Sequence, residues 1–322
     1  PSCCQSKPRG IRPVTTNAQS NSSSALVVEP VDATLGAVVT NLRLTELDDA
    51  SWSSLYSAFL TYGVLVFPDQ HLTPAEQGAF ARRFGEPEQL SPKQNGPNVA
   101  ISNRKADGSV AKPDEYQFQI LRGNEGWHTD STYMPLASKV AMLSAEVLPP
   151  ADGETEFADM RAAWDALPDA RQQQLEGLSA FHSLYYSQAQ AGYQHASGSA
   201  YGLHDKGAPL RPLVKTHSET GRKSIYTGRH AYGIPSMQEK ESTALLAELL
   251  EEACQAPRVY RHRWQVGDTV VWDNRCLMHR ARPYDKNHPR VLRGTRISGD
   301  PASELAPTLP DERAAAFMPS TS

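Results

Sequence analysis

From residue 26 onward short apolar runs alternate with longer amphipathic stretches, and the first 25 residues show neither pattern. "LVVEPV" is a β-branched run at which order is expected to begin. "DASWSSLYSAFLTYG" carries apolar residues at helical spacing and stops at Gly63, and the "VLVFPD" behind it reads as a buried strand. "TPAEQGAFARRFG" predicts a helix with Thr73 as N-cap, Pro74 at the first helical position, Glu76 three residues after the cap and Gly85 as terminator. Residues 90–125 are polar, with only short strands. "KVAMLSAEVL" predicts a strand, "ETEFADMRAAWDAL" a strand passing into a helix, and "STALLAELLEEACQ" the clearest amphipathic helix. "VYRHRWQVGDTVVWDNRCLMHRARPY" reads as two strands hinged at Gly267-Asp268. Residues 182–210, rich in Gly, Ser, Tyr and His and without periodicity, predict a long loop acting as a mobile flap. Many short strands with a few helices point to a mainly β class, an antiparallel sandwich or barrel with helices packed outside. One domain is expected over residues 26–322. The Ser- and Asn-rich stretch 1–25 cannot offset its ordering entropy and predicts a disordered tail.

Composition narrows the class. The 322 residues, 39% of them hydrophobic, suffice for a substantial core. A net charge of -4 without a basic run argues against a nucleic-acid partner. No apolar stretch approaches the ~20 residues that span a bilayer, and no signal peptide is visible. The four cysteines, Cys3, Cys4, Cys254 and Cys276, do not form a disulfide framework, which favours a cytoplasmic setting. The expected partner is a small-molecule substrate, and a homo-oligomer is left open.

Chemistry enters with "GNEGWHTDSTYMP", which sets His128 and Asp130 one residue apart. Both groups are costly to bury unless something pairs with them. Late in the chain "DTVVWDNRCLMHRA" reads as a strand delivering His279. Two histidines and a carboxylate occupy one face of an octahedral metal and leave three positions open, the arrangement of non-haem Fe(II) oxygenases. On spacing alone the pattern is moderate evidence, because ten histidines make a chance His-X-Asp ordinary. A zinc-type metal-dependent hydrolase on the same ligands and a non-catalytic jelly-roll binding protein are the alternatives.

The surrounding blocks "NEGWHTDSTY", "DGETEFADMRAAWDAL", "YRHRWQVGDTVVWDNRCLMHRARPYD" and "PRVLRGTRISGD" resemble the taurine/2,4-dichlorophenoxyacetate dioxygenase family from about residue 26 to 300. "EFADMRAAWDAL" and "YRHRW" are closer to its aryloxyalkanoate branch. The resemblance implies a double-stranded β-helix (a cupin-like jelly roll) with flanking helices. It implies Fe(II) as metal, 2-oxoglutarate as cosubstrate and O2 as oxidant. The implied reaction hydroxylates a small organic substrate, an organic acid of aryloxyalkanoate type, with release of succinate and CO2. His128, Asp130 and His279 match the iron ligands, Thr155 the cosubstrate hydroxyl contact, and Arg290 the arginine pairing with the distal carboxylate of 2-oxoglutarate. Asn124 matches a position near substrate. Trp127 and Trp272, which flank the ligands, read as core aromatics. One departure stands out: where taurine-type members carry an arginine facing the substrate acid, this chain has Gly294. Arg293 and Arg296 beside it are substrate-contact candidates, with Lys139, His182, Lys215, Arg229 and His230 as substitutes. On a strand Arg290 and Arg296 share a face and Arg293 points away.

Overall fold

The computed structural model describes residues 26–90, 94–199, 201–310 and 316–317, so the expected tail over 1–25 lies outside the described residues. The strand Val64–Phe67 is buried at every position. Val64 and Val66 join Val270, Trp272, Phe157 and Leu277 on one side, while Leu65 and Phe67 pack with Leu55, Phe59 and Phe80 on the other. A strand apolar on both faces needs cover on both. The helices Asp49–Tyr62 and Pro74–Ala81 supply the outer cover. Asp48 caps the first by accepting from the Ser51 amide at 2.7 Å. Thr73 and Glu76 form a reciprocal capping box on the second. That helix stops at Ala81, and Gly85 closes the turn beyond it.

The strand Val64–Phe67 belongs to a seven-stranded sheet, ordered Val27–Pro30, Ala37–Thr40, Val64–Phe67, Thr269–Asp273, Ser138–Val147, Val291–Ser298, Asn98–Ser102. Against its inner face lies a three-stranded sheet, Val259–His262, Thr155–Asp159, Leu277–Ala281, all antiparallel. The outer face of this smaller sheet packs Ala158 and Met278 against helix residues Trp164, Leu245 and Leu249. A further sheet, Ala231–Tyr232, Ser179–His182, Ala208–Pro212, Thr308–Leu309, extends the smaller side. The architecture is the double-stranded β-helix with flanking helices.

Three expectations are corrected. The segment 259–284 holds three strands, because the chain breaks after Asp273. The Asp273 carboxylate accepts from the backbone amide and guanidinium of Arg275 at 2.7–2.9 Å and faces His217 Nε2 at 3.0 Å. This buried polar knot turns the chain, so Thr269–Asp273 runs in the large sheet and Leu277–Ala281 in the small one. The stretch 182–210 is not wholly loop. Ser183 caps a helix over Leu184–Gln190, and Ala208 starts a strand, leaving an irregular crossing between them. The polar region 90–125 ends in a helix, Tyr116–Gly123, that its composition concealed.

Candidate active site

The last turn of that helix leads into Trp127 and His128. A backbone bridge then joins His128 to His279: each amide donates to the other's carbonyl, at 3.0 and 2.8 Å. Two residues distant in the chain are thereby held side by side at the edge of the small sheet, with rings 4.2 Å apart. Thr129 Oγ1 donates to the Leu277 carbonyl at 2.9 Å and fixes the intervening turn. Asp130 follows, and Ser131 takes a left-handed conformation, φ 55°, that sends the chain away from the site. Arg211 pins the exit by donating to the carbonyls of Thr132 and Met134 at 2.7 and 2.6 Å.

One ligand atom from each of His128, Asp130 and His279 lies within 4.8 Å of the others. Nδ1 of His128 donates to the Gly126 carbonyl at 2.8 Å, which leaves Nε2 with its lone pair free. His279 Nε2 faces Asp130 Oδ2 at 3.7 Å, too long for a hydrogen bond, and its Nδ1 is buried without a partner. Burial pushes both imidazoles below their ordinary range, His128 the further, so they stay neutral. Burial alone would raise the Asp130 carboxyl, but the Arg296 guanidinium beside it outweighs that and holds it below the ordinary carboxylate range. Two neutral imidazoles and a carboxylate converging in a buried gap are a donor set for a divalent ion.

A narrow cavity of about 60 Å³ runs inward from this triad between the two sheets. Thr155 and Arg290 line its inner end, with Trp272, Leu143 and Ile101 along the walls. Thr155 Oγ1 accepts from Trp264 Nε1 at 3.0 Å, so its own proton is free for a ligand. Arg290 is buried and donates to the Gly153 carbonyl at 2.8 and 3.1 Å. Gly153 turns with φ 76°, and a Cβ there would come within 3.2 Å of Arg290 Nε. No carboxylate of the described residues pairs with this cation, and burial draws it down to about 10. A buried guanidinium without an anion calls for one from outside.

On the other side of the triad opens a cavity of about 1180 Å³. Tyr116 and Ile120 of the concealed helix line it, with Leu184, Leu203, Arg229 and His230. The irregular crossing forms its outer wall. His204 Nε2 lies 2.9 Å from the Tyr133 carbonyl, and Tyr116 meets His195 edge-on at 5.1 Å. Gly202, φ 85°, passes so close to Tyr133 that a Cβ would sit 2.3 Å from its ring. Arg229 is partly buried, donates to Ser187 O and Gln188 Oε1 at 3.0 and 2.9 Å, and has no carboxylate partner among the described residues. Burial draws it too down to about 10.

The family model described as "Taurine catabolism dioxygenase TauD, TfdA family" matches residues 28–296. The chain belongs to the TauD/TfdA family. A (S)-phenoxypropionate/alpha-ketoglutarate-dioxygenase of Sphingobium herbicidovorans is 52% identical over 290 residues, 88% of this chain and 99% of that protein. An alpha-ketoglutarate-dependent 2,4-dichlorophenoxyacetate dioxygenase of Cupriavidus pinatubonensis is 40% identical over 282 residues, 84% of this chain and 96% of that protein. The crystal structure of AAD-2 in complex with Mn(II) and N-oxalylglycine superposes with a TM-score of 0.78 at 36% identity, over 89% of this chain and 99% of that one. This TauD/TfdA protein is therefore an Fe(II)- and 2-oxoglutarate-dependent dioxygenase that uses O2. Among the described residues no helix is long and apolar enough to cross a membrane.

In this TauD/TfdA chain the remaining candidates separate cleanly. Asn124 lines both cavities beside the triad. Arg293 lines neither: it donates to the Leu72 carbonyl at 2.7 Å and pairs with Glu146 on the far face of the sheet, which removes it as a substrate contact. Arg296 lines both cavities, but its Nη2 is 2.7 Å from Asp130 Oδ1. Lys215 pairs with Glu304, and neither it, Lys139 nor His182 lines the two cavities. Trp127 and Trp272 sit in apolar clusters as core aromatics, although Trp272 also walls the small cavity. The sequence reading passed over Tyr116, Ile120 and Glu88. Only the i, i+4 spacing of Tyr116 and Ile120 signalled the cavity-facing helix.

Proposed function

We propose that the substrate is an aryloxyalkanoic acid, hydroxylated on the carbon beside its ether oxygen while 2-oxoglutarate is converted to succinate and CO2. The product hemiacetal collapses to a phenol and an oxoacid. The observation that carries this reading is Arg229: a guanidinium with no carboxylate partner among the described residues, lining a cavity to which Tyr116, Ile120, Leu184 and Leu203 add apolar wall between its polar groups. A ligand with an aromatic body and one carboxylate satisfies both features. The names of the relatives, a phenoxypropionate and a 2,4-dichlorophenoxyacetate dioxygenase, support the same class. Gly294 also fits, since an acid gripped at Arg229 needs no arginine on the strand Val291–Ser298.

His128, Asp130 and His279 are the residues that would hold the metal, which when bound supplies the oxygen chemistry. Arg290 and Thr155 hold the far carboxylate of 2-oxoglutarate, the guanidinium by paired hydrogen bonds and the hydroxyl by one. Arg229 orients the substrate acid so that its ether-side carbon faces the triad. The crossing over residues 191–199 and 201–207 covers the open side and excludes water. One dioxygenase domain from residue 26 onward, in a cytoplasmic setting, completes the reading; Cys254 and Cys276 as free thiols support the latter.

The test presents anaerobically loaded enzyme with phenoxyacetic, 2-phenoxypropionic and 2,4-dichlorophenoxyacetic acids beside taurine and an alkyl sulfate. Succinate and phenol should appear together with the aryloxy acids. Succinate release stimulated only by the sulfonate or the sulfate ester would overturn the substrate assignment.

A further inference from the structure

Asp130 has two oxygens, and the structure treats them differently. Oδ2 turns toward the histidines, 3.7 Å from His279 Nε2 and 3.5 Å from Asn274 Nδ2. Oδ1 turns away, to Arg296 Nη2 at 2.7 Å. Arg296 arrives there by strand geometry: it shares a face with Arg290, and Gly294 between them puts no side chain in the way. Behind Asp130 lies a second carboxylate that none of the binding steps above uses. Glu88 is buried, Ser131 Oγ donates to its Oε2 at 2.8 Å, and the Tyr201 hydroxyl donates to its Oε1 at 3.0 Å. Tyr201 Oη is also 3.1 Å from Ser131 Oγ, next in sequence to the ligand. Tyr201 belongs to the crossing that walls the large cavity.

We propose that Arg296 is a positioning residue that keeps Asp130 a one-oxygen ligand, and that Glu88 and Tyr201 tie this clamp to the flap. The inference rests on His128, Asp130 and His279 being the metal ligands. A divalent ion held by two imidazoles and one carboxylate oxygen would leave room beside it for the 2-oxoacid and the oxidant. A carboxylate that swung round to bind through both oxygens would take up part of that room. A guanidinium ion-paired with Oδ1 opposes that swing, because turning the carboxylate separates opposite charges in a poorly solvated place. Glu88 is held by Ser131 and Tyr201 and does not compete for Asp130. The Tyr201 contact extends the arrangement to the flap, so a flap that lifts gives up a hydrogen bond to Glu88 and loosens the carboxylate's surroundings.

The experiment uses the full chain, without substrate and without oxygen, so that it is independent of which acid the enzyme oxidises. Co(II) affinity, 2-oxoglutarate affinity of the Fe(II) form, and the visible charge-transfer absorption of the chelated 2-oxoacid are measured for Arg296→Gln, Arg296→Lys and Tyr201→Phe. In Arg296→Gln, Co(II) affinity should stay within about threefold, while 2-oxoglutarate affinity falls at least tenfold and the absorption band moves or vanishes. Arg296→Lys should recover part of both. Tyr201→Phe should leave Co(II) affinity unchanged and raise hydrogen exchange in residues 197–205. An unchanged band and 2-oxoglutarate affinity in Arg296→Gln would overturn the clamp, as would a loss of Co(II) affinity as large as that of Asp130→Ala. If Arg296→Gln does not fold, the same readings are made on Arg296→Gln combined with Glu88→Gln, which removes the carboxylate left bare. Unaltered exchange in Tyr201→Phe would overturn the tie to the flap.

Discussion

The two cavities that meet at the metal triad are built in opposite ways. The narrow one lies between two sheets, and its polar groups project from strands or strand ends: Thr155 begins one strand and Arg290 immediately precedes another. Regular hydrogen bonding on both sides leaves its walls no second arrangement. The wide one is lined by a short helix, the loop carrying Arg229 and His230, and the irregular crossing after Gln190. Each cavity is lined by a guanidinium that has no carboxylate partner among the described residues and is drawn down to about 10 by burial. What differs is the stiffness of the frame around that charge. The narrow cavity is framed by paired strands, and the wide one by a short helix and irregular segments, the kind of frame in which substrate discrimination and low local stability are usual.

The largest effect should come from the point the cavities share. His279→Ala removes one of three ligands and should abolish turnover and greatly weaken iron binding, read by metal titration and succinate release; full activity would remove the triad from the site. Next in size is the narrow cavity. Arg290→Ala loses a charge-assisted bidentate contact worth roughly 2–5 kcal/mol. The affinity for 2-oxoglutarate should fall by at least ~30-fold with iron binding nearly unchanged. Arg229→Gln probes the wide cavity. The loss of about 1.5–3 kcal/mol for a hydrogen bond to a charged group raises KM for the aryloxy acid by roughly 10- to 100-fold. The KM for 2-oxoglutarate should not move, and a shift in both would mean that the two guanidiniums do not serve separate ligands.

Smaller still is the difference in stiffness itself. Hydrogen exchange in residues 191–207 should slow when Fe(II), 2-oxoglutarate and substrate are all present, while the strand Thr155–Asp159 is protected in every state. Equal exchange of the segment in all states would leave it a plain surface loop. A last test is pH. His128, His182, His230 and His279 are all depressed, chiefly by burial. The unfolded chain takes up these protons near pH 6.5 while the folded one stays neutral to lower pH. Stability of the metal-free protein is therefore complete above about pH 6.5 and falls below it, by at most ~1.4 kcal/mol per pH unit for each histidine. Urea midpoints between pH 7.5 and 5.5 would show it, and an unchanged midpoint would contradict the buried neutral state.

Legibility in the sequence followed the same division. The helix at Pro74 was readable to the residue at its start, because a capping box and an N1 proline are local chemistry. The strand Val64–Phe67 declared itself by an unbroken apolar run. The helix Tyr116–Gly123 did not, since it is short, mixes apolar and polar residues, and buries none of its side chains fully. The break after Asp273 was hidden for a different reason: Asp273 and Arg275 look like an exposed turn until His217 and Glu219 reach them from elsewhere. Arg293 and Arg296 were equal candidates by composition. Strand alternation separated them, and only the fold showed one facing Glu146 and the other facing Asp130.

By itself the sequence determined what is carried by neighbours in the chain: caps, periodicities, the His-X-Asp pair and the ordered blocks that mark the TauD/TfdA family. Tertiary structure decided which charges meet. His128 and His279 become co-ligands through two backbone hydrogen bonds between distant segments. Among the described residues Arg290 and the partly buried Arg229 meet no carboxylate, whereas Arg296 is given one. Whether a buried charge is satisfied depends on atoms within a few ångströms in space, and the linear order of residues does not contain that distance.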